Sequence, residues 1–120
     1  MKYLMYTLGD DNTSVPPPTP QMMEEMGKFM AEAQQKGALL ATGGMAPTSQ
    51  GTTVRYSNGK FTVTDGPYAE SKELIGGWAL IEAKSKEEAL DWAKRFLKIS
   101  GTGESRIRQV FGPEDRIPNR

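Results

Sequence analysis

Asp65, Glu70, Lys72 and Glu73 stand close together in the run Asp65-Gly66-Pro67-Tyr68-Ala69-Glu70-Ser71-Lys72-Glu73. They offer acid, base and anion-binding groups to one cleft mouth. Glu70 and Glu73 are spaced to share a face if one helical turn forms, with Lys72 beside them. A carboxylate at Asp65, held near apolar strand ends, would have its pKa raised toward that of a working base. The same residues also have a plainer reading. Asp-Gly-Pro is a rigid turn in which Asp bonds its own backbone, Gly tolerates unusual dihedrals and Pro fixes the next φ. On local chemistry alone the turn reading is the favoured one, and Asp65 is the best single residue if chemistry exists. The chain has no histidine and no cysteine. That excludes Ser-His-Asp and Cys-His nucleophiles, thiolate or imidazole metal sites, and disulfides. Any proton transfer falls to Asp, Glu, Lys, Tyr or water.

Other groups carry weaker signals. Arg55, Arg106 and Arg108 have the fork that grips a carboxylate or phosphate in bidentate fashion. Arg106 and Arg108 share one face of a late strand, whereas Arg55 reads as an ordinary solvated strand residue. Asp10-Asp11-Asn12 offers three oxygens to a hard cation, too few in a polar loop to predict a metal site. Met22, Met23, Met26 and Met30 line one helix and read as core filling before they read as a pliable pocket. Trp78, Tyr6 and Met5 on central strands either floor a ligand cavity or form the core of a dimer. No metal and no cofactor is expected.

The elements that must position these groups are legible in the pattern. Lys2 to Leu8 is apolar on both faces, a strand covered on both sides. Gly9 to Pro18 is a polar, proline-rich loop. Thr19-Pro20 opens a helix, Thr as N-cap and Pro at the first helical position. Its stripe is Met22, Met23, Met26, Phe29, Met30 and Ala33, and Lys36-Gly37 closes it. Ala38 to Thr42 is a short strand that Gly43-Gly44 should break. Thr52 to Ser57 and Lys60 to Thr64 flank Asn58-Gly59, the preferred two-residue hairpin turn. That register sets Tyr56 opposite Phe61 and Val54 opposite Val63 on one face. Ile75 to Ala83 reads as a central strand. Ser85-Lys86-Glu87-Glu88 is a capping box opening a second helix with the stripe Ala89, Leu90, Ala93, Phe96, Leu97. Arg106 to Phe111 is the last strand, and Gly112 to Arg120 reads as a frayed polar tail.

The order predicts an α+β, ferredoxin-like βαββαβ domain over residues 1–112 with an inserted β-hairpin, and a tail over 113–120. Two helices cover one face of such a sheet, yet the strands are apolar on both. The second face should therefore meet another copy, giving a homodimer, or be covered by the loops and the hairpin of the same chain. The length of 120 residues suits one domain, and a formal net charge of +0 gives no electrostatic reason for a nucleic-acid or membrane partner. No apolar run approaches a membrane span, and no signal peptide is visible, which points to the cytoplasm.

The nine-residue run closely resembles the D-G-P-F-A-E-x-K-E signature of the DGPF branch of the YCII-related family. The likeness extends over nearly all of residues 1–112, through Met1-Lys2-Tyr3-Leu4-Met5, Lys36-Gly37-Ala38-Leu39-Leu40, Thr53-Val54-Arg55, Gly76-Gly77-Trp78, Glu87 to Ala93 and Ile107-Arg108-Gln109-Val110. The resemblance implies a dimeric α/β barrel, two ferredoxin-like sheets packed face to face. It also implies a small bacterial protein of the kind whose relatives are proposed to use a His-Asp pair. This chain departs from that pattern, with no histidine and with Tyr68 where the signature has Phe. The leading expectation is a small-molecule binding protein whose cavity is bordered by residues 65–73. Asp65 would be its catalytic candidate, and Gly66, Pro67, Tyr68, Glu70, Lys72, Glu73, Arg106 and Arg108 its ligand-binding candidates. The alternatives are a lyase- or oxygenase-like enzyme on a small cyclic substrate with Asp65 as base, or a regulatory module beside an extracytoplasmic-function sigma factor.

Overall fold

Apolar residues on both faces of a strand force it to the middle of a sheet, and that is where β1 (Lys2–Gly9) and β5 (Leu74–Glu82) lie. A computed structural model of the chain describes residues 1–9, 18–46, 48–66, 74–101 and 103–118. Around the two central strands run α1 (Pro20–Gln35), β2 (Leu39–Gly44), β3 (Thr52–Ser57), β4 (Lys60–Asp65), α2 (Lys86–Ser100) and β6 (Glu104–Val110). The main sheet has the order β2-β5-β1-β6 with every neighbour antiparallel, and β3-β4 forms a separate two-stranded sheet. This is the ferredoxin-like βαββαβ arrangement with a hairpin inserted between its second and third strands.

The helix ends follow their local chemistry. Thr19 Oγ1 accepts the Met22 amide at 3.1 Å with Pro20 behind it, and Gly37 takes φ +72° past the last turn. Ser85 Oγ accepts the Glu88 amide at 3.2 Å, and Gly101 closes α2 at φ +86°. Both helices cover the face of the sheet that carries Tyr3, Met5, Ile81 and Ile107. The buried helix residues are alanines, Ala33, Ala89 and Ala93, which lets the helical backbone approach the sheet closely. Leu4, Tyr6, Trp78, Leu80, Arg106 and Arg108 occupy the opposite, open face by register.

The structure departs from the pattern in several places. β2 continues through Gly43 and Gly44, paired with Trp78 and Gly77, where the glycines were expected to break it. The Trp78 indole lies over Gly43, and a Cβ there would stand 3.1 Å from the ring. The glycine serves packing and does not stop the strand. Met23 is 62% exposed and leaves the apolar stripe of α1. Asp65 is the last residue of β4, paired with Thr52, and β6 begins at Glu104. The tail folds back in a turn in which the Gly112 amide donates to Asp115 Oδ2 at 2.7 Å and the Asp115 amide to the Gly112 carbonyl at 3.1 Å.

The hairpin has the expected register, with Asn58 at φ +53° and Gly59 at φ +76° as a primed turn requires. It does not fold over the open face of its own chain. Val54, Tyr56, Phe61 and Val63 stay 64–73% exposed.

Candidate ligand-binding cavity

Large side chains on the helices meet small ones on the sheet, and the mismatch leaves a cavity of about 180 Å³ between the layers. Phe29 and Met30 of α1 and Trp92 and Phe96 of α2 form its helical wall. Opposite them lie Met5, Ala79 and Gly77, with Gly43 and Trp78 at the β2 side. The wall is overwhelmingly apolar; Thr7, Thr42 and Ser105 add hydroxyls. Two of these hydroxyls also fix the sheet. Thr7 Oγ1 accepts the Gly77 amide at 2.9 Å, close to where the β1-β5 register shifts between Tyr6 and Leu8. Thr42 donates to the Trp78 carbonyl at 2.8 Å. No carboxylate, lysine or arginine is among the described lining residues.

A charged clasp crosses the helical wall. Arg95 of α2 grips Glu32 of α1 through both guanidinium arms, at 2.6 and 3.0 Å. Its guanidinium carbon lies 4.9 Å from the Phe29 ring centre and 5.1 Å from that of Trp92, while those two rings stand 5.7 Å apart. Lys36 Nζ reaches Glu32 Oε2 at 3.3 Å and lies 5.9 Å from the Trp92 ring centre. Hydrogen bonds from Arg95, then from Lys36, hold the Glu32 carboxyl at about 2, well below its ordinary 4.5. The Arg95 pKa is raised in turn by Glu32. Sequence reasoning missed this clasp. Its local signal was the i, i+4 pair Glu32–Lys36; the cross-helix partner is set by tertiary packing.

Of the predicted site residues, Asp65, Gly66, Arg106 and Arg108 lie among the described ones. Asp65 is exposed and its Oδ1 accepts the Thr52 hydroxyl at 3.1 Å, while the Gly66 amide donates to the Gly51 carbonyl at 2.6 Å. Neither lines the cavity. Pro67, Tyr68, Glu70, Lys72 and Glu73 lie outside the described residues, as does Asp10-Asp11-Asn12. Arg106 and Arg108 share the open face as expected, opposite Tyr6 and Leu4. Arg108 borders an open depression there of about 740 Å³, with Leu4, Tyr6, Met45, Trp78, Val110 and Ile117. Among the described residues no cluster of acidic side chains could hold a metal ion, and no helix is long and apolar enough to cross a membrane.

An uncharacterised protein of Rhizobium meliloti (strain 1021) is 33% identical over 91 residues, 75% of this chain and 73% of that protein. Among solved structures, 5-chloro-2-hydroxyhydroquinone dehydrochlorinase from Burkholderia phenoliruptrix AC1100, in complex with 2,5-dihydroxybenzoquinone, is similar over 92% of this chain and 94% of that one. The TM-score is 0.48 and the sequence identity 13%. At that distance the likeness bears on neither activity nor substrate. The family model of the YCII-related domain matches residues 1–111, and the chain belongs to that family.

Proposed function

We propose that the protein binds a small, neutral, single-ring organic compound in the cavity between the helices and the sheet. The observation that carries this reading is the aromatic, nearly uncharged helical wall formed by Phe29, Trp92 and Phe96 around about 180 Å³. Apolar protein cavities of roughly 150 Å³ stay dry and take up benzene, so the size suits one ring. A charged ligand would lose its hydration there without a partner. The hydroxyls of Thr7, Thr42 and Ser105 suit a ligand carrying one or two hydroxyl or carbonyl groups. The signature segment 65–73 is proposed as the outer border of the same site, because it runs directly into β5, whose Gly77, Trp78 and Ala79 line the cavity. A second copy is proposed to cover the open face of the sheet, where Leu4, Tyr6, Trp78 and Leu80 share one apolar surface.

A panel of phenols, quinones and ring carboxylates tested by thermal shift checks the binding reading. Neutral rings should raise the melting temperature, by about 2.7 kcal/mol of stability at a hundredfold excess over Kd. Ring carboxylates should not. Stabilisation by the charged compounds alone would contradict an apolar site.

A further inference from the structure

We infer that Thr7 sets the ligand class of the cavity: its hydroxyl is held as a donor toward the ligand, and the preferred occupant is a single ring bearing a carbonyl. This rests on the reading that the cavity takes a neutral ring, and names the polar group that ring carries. The central ladder is irregular beside the cavity. Tyr6 pairs with Trp78 and Leu8 with Ile75, so Thr7 alone faces both Gly76 and Gly77. Two residues against one is a β-bulge, a device that re-aims side chains and is over-represented beside binding sites. Here the Gly77 amide donates to Thr7 Oγ1 at 2.9 Å. Thr7 lies on the helix-facing side of β1 with Tyr3 and Met5, and it lines the cavity half-buried.

A hydroxyl has one proton to give and lone pairs to receive with. At Thr7 the Gly77 amide takes the receiving side. The proton's partner within the protein is the Gly77 carbonyl at 3.4 Å, at the long limit of a hydrogen bond. A ligand oxygen at about 2.8 Å is the better acceptor, so the proton turns to the cavity. An N–H group placed there would meet a second donor and leave both unpaired. Thr42 has the opposite polarity. Its proton is committed to the Trp78 carbonyl at 2.8 Å, which leaves lone pairs to receive a ligand hydroxyl. Thr42 is exposed, so that hydroxyl belongs at the mouth and the carbonyl inside. Ser105, opposite Thr7 across β1-β6, can turn either way and imposes neither polarity.

Calorimetric titration with benzaldehyde and with toluene tests this, in wild type, Thr7→Val and Thr7→Ser. The readout is the ratio of the two affinities, which a general loosening of the fold does not move. The benzaldehyde-to-toluene ratio should fall about fivefold in Thr7→Val, which keeps the shape and loses the hydroxyl. It should return to the wild-type value in Thr7→Ser. An unchanged ratio in Thr7→Val, with both rings still bound, would overturn the donor role and leave the cavity reading standing. Failure of either ring to bind wild type would overturn both. Infrared spectroscopy of benzaldehyde on wild type needs no variant that might fail to fold. The carbonyl stretch of the bound ring should fall below its value in a hydrocarbon solvent, and an unshifted band would overturn the hydrogen bond from Thr7. 4-Hydroxybenzaldehyde should bind more tightly than benzaldehyde, an advantage lost in Thr42→Val; no advantage in wild type would overturn the outward hydroxyl.

Discussion

Glu32 and Arg95 join α1 to α2 over two aromatic rings of the cavity wall, and their pairing has a defined pH dependence. The Glu32 carboxyl titrates at about 2 in the folded chain and near 4.5 ordinarily. A depressed carboxyl contributes stability that is present above pH 4.5 and lost as pH falls toward 2. Urea midpoints of wild type and Glu32→Gln should therefore differ above pH 4.5 and converge as the pH approaches 2. Solvent exposure of the pair keeps the difference small. Gly43 is the second residue with a specific demand on it. Gly43→Ala would press a methyl to 3.1 Å from the Trp78 ring and displace the indole on the open face of the sheet. The expected result is a shifted Trp emission and a loss of stability of roughly 1 kcal/mol from overpacking.

The elements differ in how far the sequence foretold them. Capping residues Thr19, Ser85 and Gly101, and the Asn58-Gly59 turn, act on their immediate neighbours, so their effects are readable along the chain. The extension of β2 through Gly43-Gly44 was hidden because it depends on an indole supplied 35 residues later, from Trp78. The exposed flank of Met23 likewise depends on where α2 and the sheet stop covering α1. The hairpin permits its own test. Gly59→Val forces a β-branched residue into φ +76° and should cost the hairpin roughly 1–2 kcal/mol. Hydrogen exchange should then speed up across residues 52–65 and stay unchanged in β1 and β5.

At the scale of the whole molecule, the site was less legible than the fold. Alternation and helical periodicity identify which faces are apolar, and that was enough for the ferredoxin-like order. The cavity arises from a volume mismatch between Phe29, Trp92 and Phe96 and the small residues Gly77 and Ala79, contributed by separate elements. No local motif records such a mismatch, and the signature that drew attention at Asp65 ends a strand against Thr52. The cavity also carries a reporter, since Trp92, one of the chain's 2 tryptophans, stands in its helical wall. The most direct measurement is a fluorescence titration of wild type and Ala79→Leu with phenol, the added side chain filling the cavity floor. Saturable change in Trp emission for wild type, abolished in a folded Ala79→Leu variant, is the predicted result. An identical titration in both proteins, or no saturable change in wild type with any neutral ring, would contradict a ligand site between the helices and the sheet.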